Sequence, residues 1–211
     1  MRSACAISGL LTLAYAWLGP LPELAGHAFF AHMTLHMLVV AVAAPLLALA
    51  LAGLSCDPVH RLPGLFAPIP ASVGELLIVW AWHAPWLHHV ARHTTSGFAV
   101  EQGMFLLAGL WVWLSAFGGP LPRSGNRMAA GVIGLLLTSM HMTLLGALLA
   151  LAPRLLFEHD HGYGGMTPLA DQQLGGAVML VVGGIAYLAG GLWLTVGLVK
   201  PDRSQHRAEQ T

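Results

Sequence analysis

The residues best suited to chemistry in this chain are histidines, and two of them set the pattern. His32-Met33-Thr34-Leu35-His36-Met37 places imidazoles one helical turn apart, each followed by a thioether. Residues at i and i+4 share a helix face, so His32 and His36 can address one ion. Imidazole and thioether are donors that copper and similar transition metals accept. Because thioethers in apolar helices usually pack, Met37 is carried as a candidate ligand and Met33 only as its neighbour. His83 in Trp82-His83-Ala84-Pro85 is a further candidate, and so is His141, which no other imidazole adjoins in sequence. Glu101 and Asp171 would orient imidazoles or act as weak ligands. The run Glu158-His159-Asp160-His161 reads either as a metal-attracting tract or as a solvated acidic loop.

These residues must be positioned by membrane helices. The 211-residue chain is 56% hydrophobic and 9% charged, with 25 glycines. A span needs roughly 20 mostly apolar residues. The apolar runs predict spans over residues 5–18, 29–51, 71–87, 98–117, 128–151 and 174–199, followed by a polar tail over 200–211. The first is short and, following Arg2, reads either as a retained helix or as a signal peptide. The runs are continuous rather than alternating, which speaks against a membrane barrel. The expectation is an all-α polytopic bundle forming one membrane domain.

Orientation follows from the basic residues. With six spans, Arg2, Arg61, Arg123, Arg127, Lys200, Arg203 and Arg207 share one side, and Arg92 and Arg154 the other. The positive-inside rule then puts both termini in the cytoplasm. On that topology all but two of the 12 histidines, His60 and His206, lie toward the periplasm. His32, His83 and Glu101 come out about one turn below the outer surface, and His36 about one turn deeper. His141 is the deepest, about 15 Å down. Ionisable groups inside a bilayer usually face the bundle interior or a water-filled cavity. His141-Met142-Thr143-Leu144 also repeats His32-Met33-Thr34-Leu35 residue for residue.

Other classes find little support. Cys5 and Cys56 both fall on the cytoplasmic side, away from any periplasmic disulfide. The chain has no phosphate-binding glycine loop, no nucleophile beside an obvious base and no long basic patch, so neither an enzyme nor a nucleic-acid binder is expected.

Several motifs resemble the CtaG family, polytopic bacterial membrane proteins implicated in cytochrome c oxidase assembly. His32-Met33-Thr34-Leu35-His36-Met37-Leu38 running into Ala43-Ala44-Pro45-Leu46-Leu47 resembles that family's signature helix. Trp82-His83-Ala84-Pro85 is similar to its Trp-His-x-Pro region, and Glu101 with the following apolar run to its Glu-His helix. Pro168-Leu169-Ala170-Asp171-Gln172-Gln173-Leu174-Gly175-Gly176 is similar to its last motif. The resemblance covers residues 27–198 in order. Gln102 stands where the family often has a histidine, Trp86-Leu87-His88-His89 replaces the usual Leu-Tyr, and about seven spans would be usual. The resemblance implies an inner-membrane factor that helps mature a heme-copper oxidase by supplying or holding copper. Its partners would be the oxidase subunit receiving the ion and a periplasmic copper donor. Two alternatives remain open: a b-type cytochrome with heme between His36 and either His141 or His83, and a small proton-coupled transporter using Glu75, Glu101 and Asp171.

Overall fold

In the computed structural model, residues 1–157 and 163–199 are described. The Glu158–His161 tract and the 200–211 tail lie outside them. All regular structure among the described residues is helical. Helix α1 (Arg2–Leu18) bends by 46° into α2 (Leu21–His27), with Pro20 and Pro22 at the break, as proline requires of a continuing helix. The span Phe29–Leu51 matches its predicted limits. It is built from α3 (Phe29–Met37), a π-helical stretch (Leu38–Ala43) and α4 (Ala44–Leu51).

Pro45 explains how that π stretch ends. In π geometry the N–H of residue i+5 bonds the carbonyl of residue i, and the Ala44 N–H duly donates to the Val39 carbonyl. The next register would ask Pro45 to donate to Val40, and proline has no N–H. The indole of Trp113 fills the gap, donating to the Val40 carbonyl at 2.9 Å. A buried carbonyl that the local sequence orphans is thus satisfied from another helix.

Helix α5 (Pro68–Trp82) is shorter than the span predicted over 71–87. It has only 15 residues, because Ala84 adopts extended backbone ahead of Pro85, as residues preceding proline do. The chain then forms α6 (Pro85–His93), which buries His88 and Ala91 and exposes Trp86, His89 and His93. Such a two-faced helix suits a membrane interface. Helices α7 (Thr95–Phe117), α8 (Gly125–Ala150) and α9 (Pro168–Val199) follow. Each starts earlier than its apolar run, and α9 starts at Pro168 rather than 174. Its polar first turns are usable because Asp171, Gln172 and Gln173 bond backbone of other segments. Four described helices are long and apolar enough to cross a membrane, or five with the bent α1–α2 pair.

The packing inverts that of a soluble protein. Leu136, Leu144, Leu148, Ile185, Leu188 and Leu192 on α8 and α9 are exposed, while Glu75, Glu101, Asp171 and Gln172 are fully buried. At one end of the bundle Asp57 accepts backbone N–H groups of Gly53, Val59 and Gly119. Arg2 donates there to Ala52 and Arg127 to Gly118. His60 lies at this end too; the opposite end holds His32, His36, His83 and His88.

Candidate metal centre

The site starts from how α3 begins. The first N–H groups of a helix have no internal partner, and here those of Phe29 and Phe30 donate to the two carboxylate oxygens of Asp171 at 2.8 and 2.9 Å. An acidic side chain on α9 therefore caps α3 and fixes its axial position. Gly175, one turn further along α9, lets the two helices approach closely. A Cβ there would lie 2.5 Å from the Phe29 ring and 3.0 Å from Met33. Asp171 is bonded to backbone, not to an imidazole.

With α3 held, its buried face presents both histidines to α7. His32 Nε2 lies 3.2 Å from Glu101 Oε1, and His36 Nε2 lies 3.7 Å from the same oxygen. One donor atom from each of these three residues falls within 4.8 Å of the others. None of the three atoms facing one another completes a hydrogen bond, although the side chains are essentially inaccessible. Buried polar atoms ordinarily have partners; here His32 and Glu101 are close enough to pair with each other, and the three atoms are placed to share an ion or a water. Two imidazole nitrogens and one carboxylate oxygen are a common protein ligand set for a transition metal, leaving room for an exchangeable ligand.

Surrounding groups set the orientation of this triad. Trp17 on α1 donates to Gln102 Oε1 at 3.4 Å, so the Gln102 amide nitrogen is turned inward. It lies 3.2 Å from Glu101 Oε2 and 3.3 Å from His36 Nδ1. The residue that replaces a potential ligand thus braces Glu101; because an amide nitrogen only donates, a His36 that ligates through Nε2 carries its proton on Nδ1 and gives up the Gln102 contact. His83, just past the end of α5, has Nδ1 2.7 Å from the Val79 carbonyl. That bond makes Nδ1 the protonated nitrogen and leaves Nε2 with a free lone pair, as ligating histidines require.

The rings form a file. His88 lies 5.0 Å from His32, His32 4.4 Å from His36, and His36 5.6 Å from His83, between centroids. Phe29, Phe105 and Phe157 pack around it. The span predicted over 71–87 stops short of His88, and the sequence reading gives it no part in the site. The available signal was the helical period of α6, which puts His88 and Ala91 on one face and His89 and His93 on another. A cavity of about 250 Å³ reaches the file from the surface, lined by Gly26, His32, Arg92, His93 and Phe98 among others. Arg92 spans its wall and donates to the Gly26 carbonyl at 2.8 Å.

The remaining candidates lie elsewhere. The Met37 sulfur packs beside Gly183 on α9, 3.8 Å from where a Cβ would stand. His141 on α8 faces Glu75 on α5, with Nε2 4.0 Å from Oε2. The structure therefore brings together His32, His36, Glu101 and His83, adds His88, uses Asp171 as a helix cap, and gives His141 a separate partner.

A family model described as cytochrome c oxidase caa3 assembly factor (Caa3_CtaG) matches residues 1–200 of this chain. No curated protein and no solved structure matches it.

Proposed function

The chain belongs to the cytochrome c oxidase caa3 assembly factor family, and from that premise we propose that it holds copper for delivery to the oxidase during assembly. The observation that carries this reading is the convergence of His32 Nε2, His36 Nε2 and Glu101 Oε1, three metal-competent atoms in a buried site. Copper is the cargo; His32, His36 and Glu101 hold it, and His83 and His88 extend the site along the file. Imidazole accepts either copper oxidation state, so the site can take the ion from one carrier and yield it to another. The role is a non-catalytic relay at the bacterial inner membrane, with a periplasmic donor and the receiving oxidase subunit as partners.

A small ion suits this site better than heme. Axial heme ligation needs a macrocycle between two imidazoles, whereas His36 and His83 meet ring against ring with Phe105 in contact with His36. Arg2, Arg123 and Arg127 gather at the end opposite the histidine file, which supports cytoplasmic termini and a periplasmic site. A reporter fused after Lys200 should be active only if it is a cytoplasmic reporter.

The decisive experiment is a deletion strain grown under copper limitation. Activity of a copper-containing oxidase should fall while synthesis of its subunits is unchanged, and excess copper should partly restore activity by mass action. The His32→Ala/His36→Ala double variant should behave like the deletion. Full oxidase activity in the deletion strain under copper limitation would overturn the proposal.

A further inference from the structure

At the end of the bundle opposite the histidine file, a cavity of about 500 Å³ opens between the start of α1, the end of α4, the loop after α7 and the last turns of α9. Arg2 and Arg123 stand in its wall, together with Cys5, Leu49, Leu121 and Trp193. The volume falls within the roughly 300–1,000 Å³ usual for small-molecule sites.

Both guanidinium groups are anchored on neutral carbonyls. Arg2 Nη2 donates to Ala52 at 3.0 Å. Arg123 Nε donates to the Phe117 carbonyl at 3.0 Å, and its Nη2 donates to the same oxygen. A guanidinium carries five N–H donors, so each group keeps donors to spare. Among the described residues no Asp or Glu pairs with either arginine. Asp57, at the same end, is taken up by the backbone N–H groups of Gly53, Val59 and Gly119. Arg123 is further held against the rings of Trp193 and Phe117, with its guanidinium carbon 5.6 and 6.0 Å from their centroids. Gly53, at a φ of +71°, brings Leu121 up to Arg2: a Cβ there would lie 2.8 Å from Leu121 and 3.4 Å from Arg2 Nη2. The cavity therefore combines two fixed positive charges that lack a negative partner with a largely apolar wall.

Its level in the fold says what can fill it. The apolar helix α1 begins here and the span Phe29–Leu51 ends here, which puts the cavity at a membrane boundary. Trp193 is 48% exposed, as suits an indole at the level of lipid headgroups. Basic pockets between transmembrane helices recognise acidic headgroups, and the planar fork of arginine matches phosphate oxygens. Inorganic phosphate would satisfy the guanidinium groups but leave Leu49, Leu121 and Trp193 facing water. A phospholipid satisfies both parts of the wall.

We propose that this cavity binds one acidic phospholipid, with its phosphate held by Arg2 and Arg123 and its glyceryl and upper acyl portions against Leu49, Leu121 and Trp193. The site does not depend on copper, and it joins α1, α4 and α9 at the end remote from the histidines.

The test is native mass spectrometry of the full chain in mild detergent, with phosphatidylglycerol or phosphatidylcholine added. The parent should retain one phosphatidylglycerol about tenfold more tightly than phosphatidylcholine, the scale expected of two basic groups beside an anionic lipid. Arg2→Gln/Arg123→Gln should bring phosphatidylglycerol down to the level of phosphatidylcholine. Arg61→Gln removes an exposed cation of the same end that does not line the cavity, and should keep the preference. Leu121→Glu leaves both arginines and their carbonyl bonds in place but adds a carboxylate to the wall. It should lose the preference too, so the result does not rest on variants that remove anchoring hydrogen bonds. Equal retention of the two lipids by the parent would overturn the site, as would a preference unchanged in both the double arginine variant and Leu121→Glu. Millimolar inorganic phosphate should leave the bound phosphatidylglycerol in place; its displacement would mean a site for a free anion and overturn the lipid assignment.

Discussion

The outer triad (His32, His36 and Glu101) and the inner pair (His141 and Glu75) are built from the same four-residue run and a buried glutamate, yet they differ in how many imidazoles face the carboxylate. In the outer region Glu101 Oε1 faces two imidazoles, and its other oxygen is braced by the Gln102 amide. In the inner region Glu75 Oε2 faces one imidazole, and its other oxygen is braced by the Tyr187 hydroxyl. Both glutamates are anchored through one oxygen and leave the other to face an imidazole. The number of imidazoles is decided by one residue a turn along the helix, His36 in one case and Leu145 in the other. A local repeat can therefore carry an imidazole-facing-carboxylate geometry, while one neighbour in it sets how many imidazoles the carboxylate faces.

That comparison breaks most readily at His36. His36→Leu gives the outer site the inner site's composition, and copper affinity at the outer site should fall more than about a hundredfold. Loss of an outer-shell partner alone costs 10–100-fold, and here a ligand is lost. An unchanged affinity in chelator competition would remove His36 from the site and dissolve the parallel.

Asp171 sharpens the contrast between holding a ligand and holding the helix that carries it. Asp171→Ala frees the Phe29 and Phe30 N–H groups. Copper affinity should fall by about 10–100-fold at the outer site. Thermal unfolding should show a loss of about 1–2 kcal/mol, the usual cost of a helix cap. An unchanged copper affinity would mean that α3 keeps its position without the Asp171 cap.

Trp113 touches both regions, through the Val40 carbonyl below the outer site and through its stack on Tyr187. Trp113→Phe keeps an aromatic ring and deletes the donor, so the Val40 carbonyl is left unpaired at a cost of about 1–3 kcal/mol. Denaturation of the variant in detergent measures it. The smallest effect belongs to Tyr187→Phe. It removes one hydrogen bond to Glu75, worth about 0.5–1.5 kcal/mol, and should leave copper affinity at the outer triad unchanged. A shift at the outer site would show that the two regions are coupled through Trp113.

Much of this was legible from residue types and spacing. The apolar run over 29–51 corresponds to a helical span with the same limits because nothing in it breaks the pattern except Pro45, whose deficit Trp113 repairs. The His32–His36 pair on one face follows from helical period. Glu101 as a partner followed from similar depth on another helix. Less legible were the limits of α5, since a hydropathy run over 71–87 continues through a break that the backbone makes before Pro85. The polar start of α9 was also hidden, because a hydropathy reading counts Asp171, Gln172 and Gln173 as costs until their backbone partners are known.

By itself the sequence determined that the chain is helical and apolar, that it carries imidazoles at helical spacing, and that it repeats one four-residue run. Those are properties of composition and of periods only a few residues long. Only the tertiary structure decided which carboxylate each histidine faces. Depth estimates grouped His141 with His32 and His36, yet its facing carboxylate is Glu75, and they gave His88 no part although its ring adjoins that of His32. Depth constrains one coordinate along the bundle axis. The rotation of each helix and the choice of its neighbours are set by close packing, such as Gly175 against α3, which no local pattern encodes.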